Sequence, residues 1–121
     1  VQSFPESLFD AVVATTSSSP AYVYMFIEAM ADGAVKLGLP RKVAIQAAAQ
    51  AVLGSAKMVL CSGEHPAQLK DNVCSPAGTT IEAVGVLEKS GFRGIIMNAM
   101  DACAQKNRKF AQAYERRKNE R

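Results

Sequence analysis

VAIQAAAQAVLGSAKMVLC, residues 43–61, decides how this 121-residue chain folds. No run in it alternates apolar and polar residues, so it does not read as a strand. Its polar positions Gln46, Gln50 and Lys57 fall within about 40° of one another at 100° per residue. The rest of the circumference is Ala, Val, Leu, Ile and Met. A helix that is apolar on nearly all sides must be covered on nearly all sides. A helical monomer of this size supplies little such cover, whereas a second copy of the chain can supply it. Ala44, Ala47, Ala48, Ala51, Gly54 and Ala56 would let two helix backbones approach closely. Helix propensity alone explains the alanines, but not the lack of a wide polar face. A bilayer span wants about 20 strongly apolar residues, and this run carries Gln46, Gln50, Ser55 and Lys57 among alanines. The expectation is a helix buried by a partner subunit, and no membrane.

The segments on either side also read as helices. Residues 6–15 form a short first helix. TTSSSP breaks the pattern, with Ser19 as N-cap and Pro20 at the first helical position of a second helix. That helix runs to Lys36, with Glu28, Asp32 and Lys36 as its polar stripe, and stops at Gly38 and Pro40. The apolar helix follows from Pro40 to Ser62. A short helix spans Ala67 to Asn72, another Thr79 to Lys89, and a last one starts at Phe92. No hairpin signal occurs. The fold class is all-α, a helical bundle interlocking with a second copy. Residues 1–121 form one domain, residues 1–16 of which make an interdomain helix.

Half of the chain is apolar (49%) and 21% is charged, a globular composition. The net charge of +3 is uneven. From Lys106 to Arg121 seven basic residues face Glu115 and Glu120, which makes this segment +5 and the remainder −2. Cations suit a helix C-terminus, and charge alone names no nucleic-acid motif; no nucleic-acid partner is expected. Cys61, Cys74 and Cys103 are widely spaced and His65 stands alone, which is no zinc pattern. No metal is expected. The thiols read as reduced, in a cytoplasmic protein. No secretion signal is visible at the N-terminus.

VCSPAGTTIEAV, residues 73–84, carries the chemistry. Thr79 and Glu82 match the S/T-x-x-E capping box, with Thr79 as N-cap and Thr80 at the first helical position. A helix start behind a small-residue loop also offers free N–H groups and a positive dipole end to a carboxylate. Ser75 and Thr80 add hydroxyls, and the cap does not require Thr80. Both readings, cap and ligand site, fit these residues.

LKDNVCSPAGTTIEAVGVLEKSGFR, Leu69 to Arg93, closely resembles the signature of Δ1-pyrroline-5-carboxylate reductase. SSPAYVYMFIEAMADGAVKLGLPR (Ser18 to Arg41) and AAQAVLGSAKMVL (Ala48 to Leu60) resemble the same family, in the same order. The resemblance implies the C-terminal helical dimerisation and substrate-binding domain of such an enzyme. The N-terminal Rossmann domain that holds NADPH or NADH is expected to be missing, since no G-x-G-x-x-G follows a strand. Cofactor-binding residues are therefore not assigned in this chain.

The implied reaction is the reduction of L-1-pyrroline-5-carboxylate to L-proline, the last step of proline biosynthesis, which this chain alone is not expected to perform. The resemblance assigns the substrate carboxylate to Ser75, Pro76, Ala77, Gly78 and Thr79. It sets the catalytic Thr80 beside the ring nitrogen, orienting it and relaying a proton. Many members have Gly where Ala77 stands, a change that would hurt if φ is positive there. Many also read S-G-S-G-P where this chain has Thr16 to Pro20. The implied partners are a second copy, with assembly of dimers beyond it, and a small-molecule substrate. The competing expectation is a helical homo-oligomerisation module without a catalytic site.

Overall fold

The computed structural model describes residues 3–121. Val1 and Gln2, which the expected interdomain helix 1–16 and domain 1–121 include, lie outside them. Among the described residues six α-helices follow one another: α1 (Phe9–Val12), α2 (Ser19–Lys36), α3 (Arg41–Ser62), α4 (Pro66–Val73), α5 (Thr79–Lys89) and α6 (Phe92–Asn119). A 3₁₀ turn at Glu6–Leu8 precedes α1, and a π-helical turn at Val13–Ser17 follows it. No strand occurs among the described residues. The all-α expectation holds, and most boundaries fall within a residue or two of those expected. The described chain divides into two compact units. One comprises the residues up to Tyr22 together with Gly91–Arg121; the other is Val23–Ser90.

In the first unit, α1 and the π turn pack on α6. The π turn is a feature the sequence did not announce. Its wide loop closes through the Ser18 N–H donating to the Val13 carbonyl at 3.0 Å. Thr15 and Thr16 donate their hydroxyls to the carbonyls of Ala11 and Val12, each at 2.7 Å. Such back-bonding competes with the regular helix ladder and favours a local distortion. Ala14, in this turn, is buried. Asp10 accepts from the Asn107 amide at 2.7 Å and from Arg108 Nε at 3.2 Å. The Tyr22 hydroxyl is closed off from solvent. The Cys103 thiol, a weak partner, and burial together push its pKa above the ordinary tyrosine value.

In the second unit, α2 ends in a Schellman motif. The Gly38 N–H donates to Val35 O at 2.9 Å and the Leu39 N–H to Ala34 O at 3.0 Å, the 5→2 and 6→1 bonds of that cap. Gly38 takes φ +111, a conformation L side chains rarely adopt. Pro40 is the N-cap of α3, and Arg41 pairs with Asp32 back on α2. On α2 Ala31 is buried, and on α3 Ala44 and Ala48.

One expectation about a helix start needs correction here. Ser19 is not the N-cap of α2 but its first residue, which puts Pro20 at the second position. The Ser19 hydroxyl instead donates to the Thr16 carbonyl at 3.4 Å, because the preceding π turn carries the helical path one residue further. At α4, the cap is His65, whose Nδ1 accepts from the Ala67 N–H at 3.1 Å.

The outer surfaces are strongly apolar. Among the described residues the buried hydrophobic set consists of four alanines. On α3, Leu53 is 61% and Leu60 84% exposed, with Val43, Ile45, Met58 and Val59 also exposed. A compact 12.9 kDa protein would expose about 6,300 Å², and two separate compact bodies of half that mass about 7,600 Å². This chain exposes 9958 Å². The excess, above about 2,000 Å² on either count, is on the scale of obligate subunit interfaces. Contrary to the expectation from its polar residues, α3 is long and apolar enough to cross a membrane by length and composition.

Candidate functional site

Cys74 closes α4, with its N–H donating to Asp71 O at 3.1 Å and Lys70 O at 3.2 Å. The next four residues, Ser75, Pro76, Ala77 and Gly78, form a β-turn in which the Gly78 N–H donates to Ser75 O at 3.1 Å. Pro76 sits at the second position, where its ring presets a negative φ. Ala77, at the third, has φ +57 and is the one non-glycine residue with positive φ among those described. Negative φ at the second position and positive φ at the third are the type II pattern, which favours Gly at the third. The expected departure from the family, Ala for Gly, thus falls on the residue where glycine fits best.

Gly78 is the N-cap of α5, extended at φ −81 and ψ 174, and no side chain caps the helix. This corrects the capping box. Thr79 is the first helical residue rather than the cap, and Thr80 is the second. The chain enters the helix one residue earlier because the turn delivers Gly78 already extended. The first intrahelical bond, from the Glu82 N–H to Gly78 O, is long at 3.4 Å.

Ser75 is folded over this entry. A Cβ added to Gly78 would lie 2.5 Å from Ser75 Oγ and 3.2 Å from Ser75 O. A side chain at position 78 is therefore excluded unless Ser75 moves. The Ser75 hydroxyl and the first-turn N–H groups of Thr79, Thr80 and Ile81 lie at one helix start. With no side-chain cap in the way, these N–H groups remain available to an acceptor. Thr80 is half-buried, whereas Ser75, Pro76, Ala77 and Thr79 are exposed.

The structure thus brings together all six residues expected to hold substrate, since they are contiguous through the turn and the first helical positions. The arrangement can do what a helix N-terminus does: hold an anion by backbone donors and the positive end of the dipole. Ile81 was not among the expected residues. Its side chain carries no polar group, and its role as third donor follows only once the helix is known to begin at Thr79.

Residues 6–110 match the family described as pyrroline-5-carboxylate reductase dimerisation. Among curated proteins, the chain is 59% identical over 108 residues to a pyrroline-5-carboxylate reductase of Escherichia coli, covering 89% of this chain and 40% of that protein. It is 54% identical over 105 residues to pyrroline-5-carboxylate reductase 2 of Homo sapiens, covering 87% and 33%. A Plasmodium falciparum pyrroline carboxylate reductase solved with NADP bound matches with a TM-score of 0.84 at 39% identity, over 87% of this chain and 42% of that one. A 1-pyrroline-5-carboxylate reductase of Streptococcus pyogenes matches with a TM-score of 0.85, also at 39% identity, over 87% and 40%. The chain spans well under half the length of these relatives.

Proposed function

Because this chain belongs to the pyrroline-5-carboxylate reductase dimerisation family, we propose that it is the subunit-joining and substrate-holding part of a reductase converting L-1-pyrroline-5-carboxylate to L-proline. The observation that carries the reading is the uncapped start of α5 behind the Ser75–Gly78 turn. Thr79, Thr80 and Ile81 would offer their N–H groups to the ring carboxylate, and the Ser75 hydroxyl would close over it. Thr80, half-buried at the second helical position, would direct its hydroxyl to the ring nitrogen. A threonine hydroxyl is a poor acid by itself, so its work is to orient the ring and pass on a proton.

NADPH or NADH would supply the hydride. The residues present do not fit that group: with no strand among those described, there is no strand–turn–helix cradle for a dinucleotide. We therefore place the cofactor on the remainder of the reductase and expect this chain alone to be inactive. The exposed faces of α2 and α3 would be covered by a second copy, the interlocked homodimer in which the family's dimerisation role is expressed, and such dimers would assemble further. The cytosol suits the three free cysteines.

The test is Thr80→Val in the full-length reductase. Turnover should fall about tenfold to a hundredfold with the circular-dichroism spectrum preserved; unchanged kinetics would remove Thr80 from the mechanism. Titrating proline into this chain separates the reading from a homo-oligomerisation module without a site. The amide resonances of Thr79, Thr80 and Ile81 should shift, and their constancy would favour the module.

A further inference from the structure

The charged end of α6 runs past the family match, which stops at residue 110 while the helix continues to Asn119; Lys106 and Phe110 lie at the edge of that match. The charge of this segment by itself indicated no nucleic-acid partner. The structure adds exposed aromatic rings on the same side as three of the seven cations, Lys106, Arg117 and Arg121. At 100° per residue Lys106, Phe110, Tyr114, Arg117 and Arg121 fall within about 80° of one another, Lys118 and Glu120 each lie about 80° from the centre of that stripe on opposite sides, and Glu115 lies about 140° from it. Phe110 is 64% and Tyr114 66% exposed. Lys106 Nζ stands 5.0 Å from the centroid of the Phe110 ring. Tyr114, Arg117, Lys118 and Arg121 line one cleft of about 320 Å³.

From this we infer that the C-terminal part of α6 binds single-stranded nucleic acid, with Tyr114 stacking on a base and Lys106, Arg117, Lys118 and Arg121 contacting phosphates. Aromatic faces interleaved with cations along a track are what sequence-tolerant single-strand binding requires. From Lys106 to Arg121 the helical path runs about 22 Å, long enough for several nucleotides. An anionic membrane fits less well. Between residues 106 and 121 Phe110 and Tyr114 are the only large apolar side chains, whereas interfacial helices bury a continuous apolar face.

The experiment is fluorescence anisotropy of a labelled oligouridylate titrated with this chain, repeated across salt concentrations. Binding should weaken with salt at a log–log slope of about −3, as four phosphate contacts require for a single strand. Tyr114→Ala should weaken it at least about fivefold at unchanged charge. Arg117→Gln with Arg121→Gln should lower the slope by about 1.5. Circular dichroism of each variant verifies that α6 is retained. The inference is overturned by absence of binding at low salt. It is equally overturned if heparin binds as tightly and Tyr114→Ala changes nothing, or if vesicles of anionic phospholipid bind more tightly than the oligonucleotide.

Discussion

Ala77 holds a backbone angle, φ +57, that a residue with a Cβ enters at a cost of about 1–2 kcal/mol. Glycine would relieve that strain but lose more chain entropy on folding. Ala77→Gly should therefore raise stability by a net of about 0.5–1 kcal/mol, read as a higher midpoint in urea with an unchanged m-value. A lowered midpoint would mean that the positive φ is not kept in solution. The neighbouring Gly78 is required for a different reason: its φ is ordinary, and the space for a Cβ is occupied by Ser75. Sequence patterns carry the first requirement as a turn signature. They do not carry the second, which depends on where one hydroxyl points.

Among the elements, α1 and α6 are tied by one carboxylate. The Asn107 amide, and after it Arg108, hold Asp10 below the ordinary carboxylate value of 3.8, against an opposing push from burial. A folded-state pKa below the unfolded one adds stability above the unfolded value, and this is lost as pH falls through the folded value. Wild type should therefore lose thermal stability on acidification below about pH 4 more steeply than Asp10→Asn does. Parallel melting curves for the two would place the steepness elsewhere. Helix α5 shows how far an element could be read beforehand. Thr79 and Glu82 matched a capping box and correctly marked the helix start to within a residue. The cap itself did not form, because the turn at Ser75–Gly78 sets the entry path, and local motifs yield to such neighbours.

At the scale of the whole molecule, the buried hydrophobic set of four alanines cannot be the complete core of a chain that is half apolar. The exposed side chains on α2 and α3 are surface for the second copy proposed above, in keeping with the dimerisation family to which the chain belongs. Leu53→Glu sets a charge on an exposed apolar position of α3. Buried in an interface without a partner it would cost several kcal/mol, and sedimentation should show the dimer lost or the chain aggregated. A dimer of undiminished stability would move the interface away from Leu53.

The sequence by itself determined which segments are helical and where they stop. Pro20, Gly38, Pro40, Gly63, Pro66 and Gly91 restrict the backbone locally, and that restriction needs no partner. It also determined that α3 requires cover, since its polar positions occupy a narrow stripe. Tertiary structure alone decided which residues of α3 are covered by its own chain, because a helix of nearly uniform apolarity has no preferred side until it packs, and there Ala44 and Ala48 are the buried ones. It alone decided that α5 begins uncapped, with three N–H donors beside Ser75. Those donors belong to the backbone, and their availability depends on how the preceding turn enters the helix.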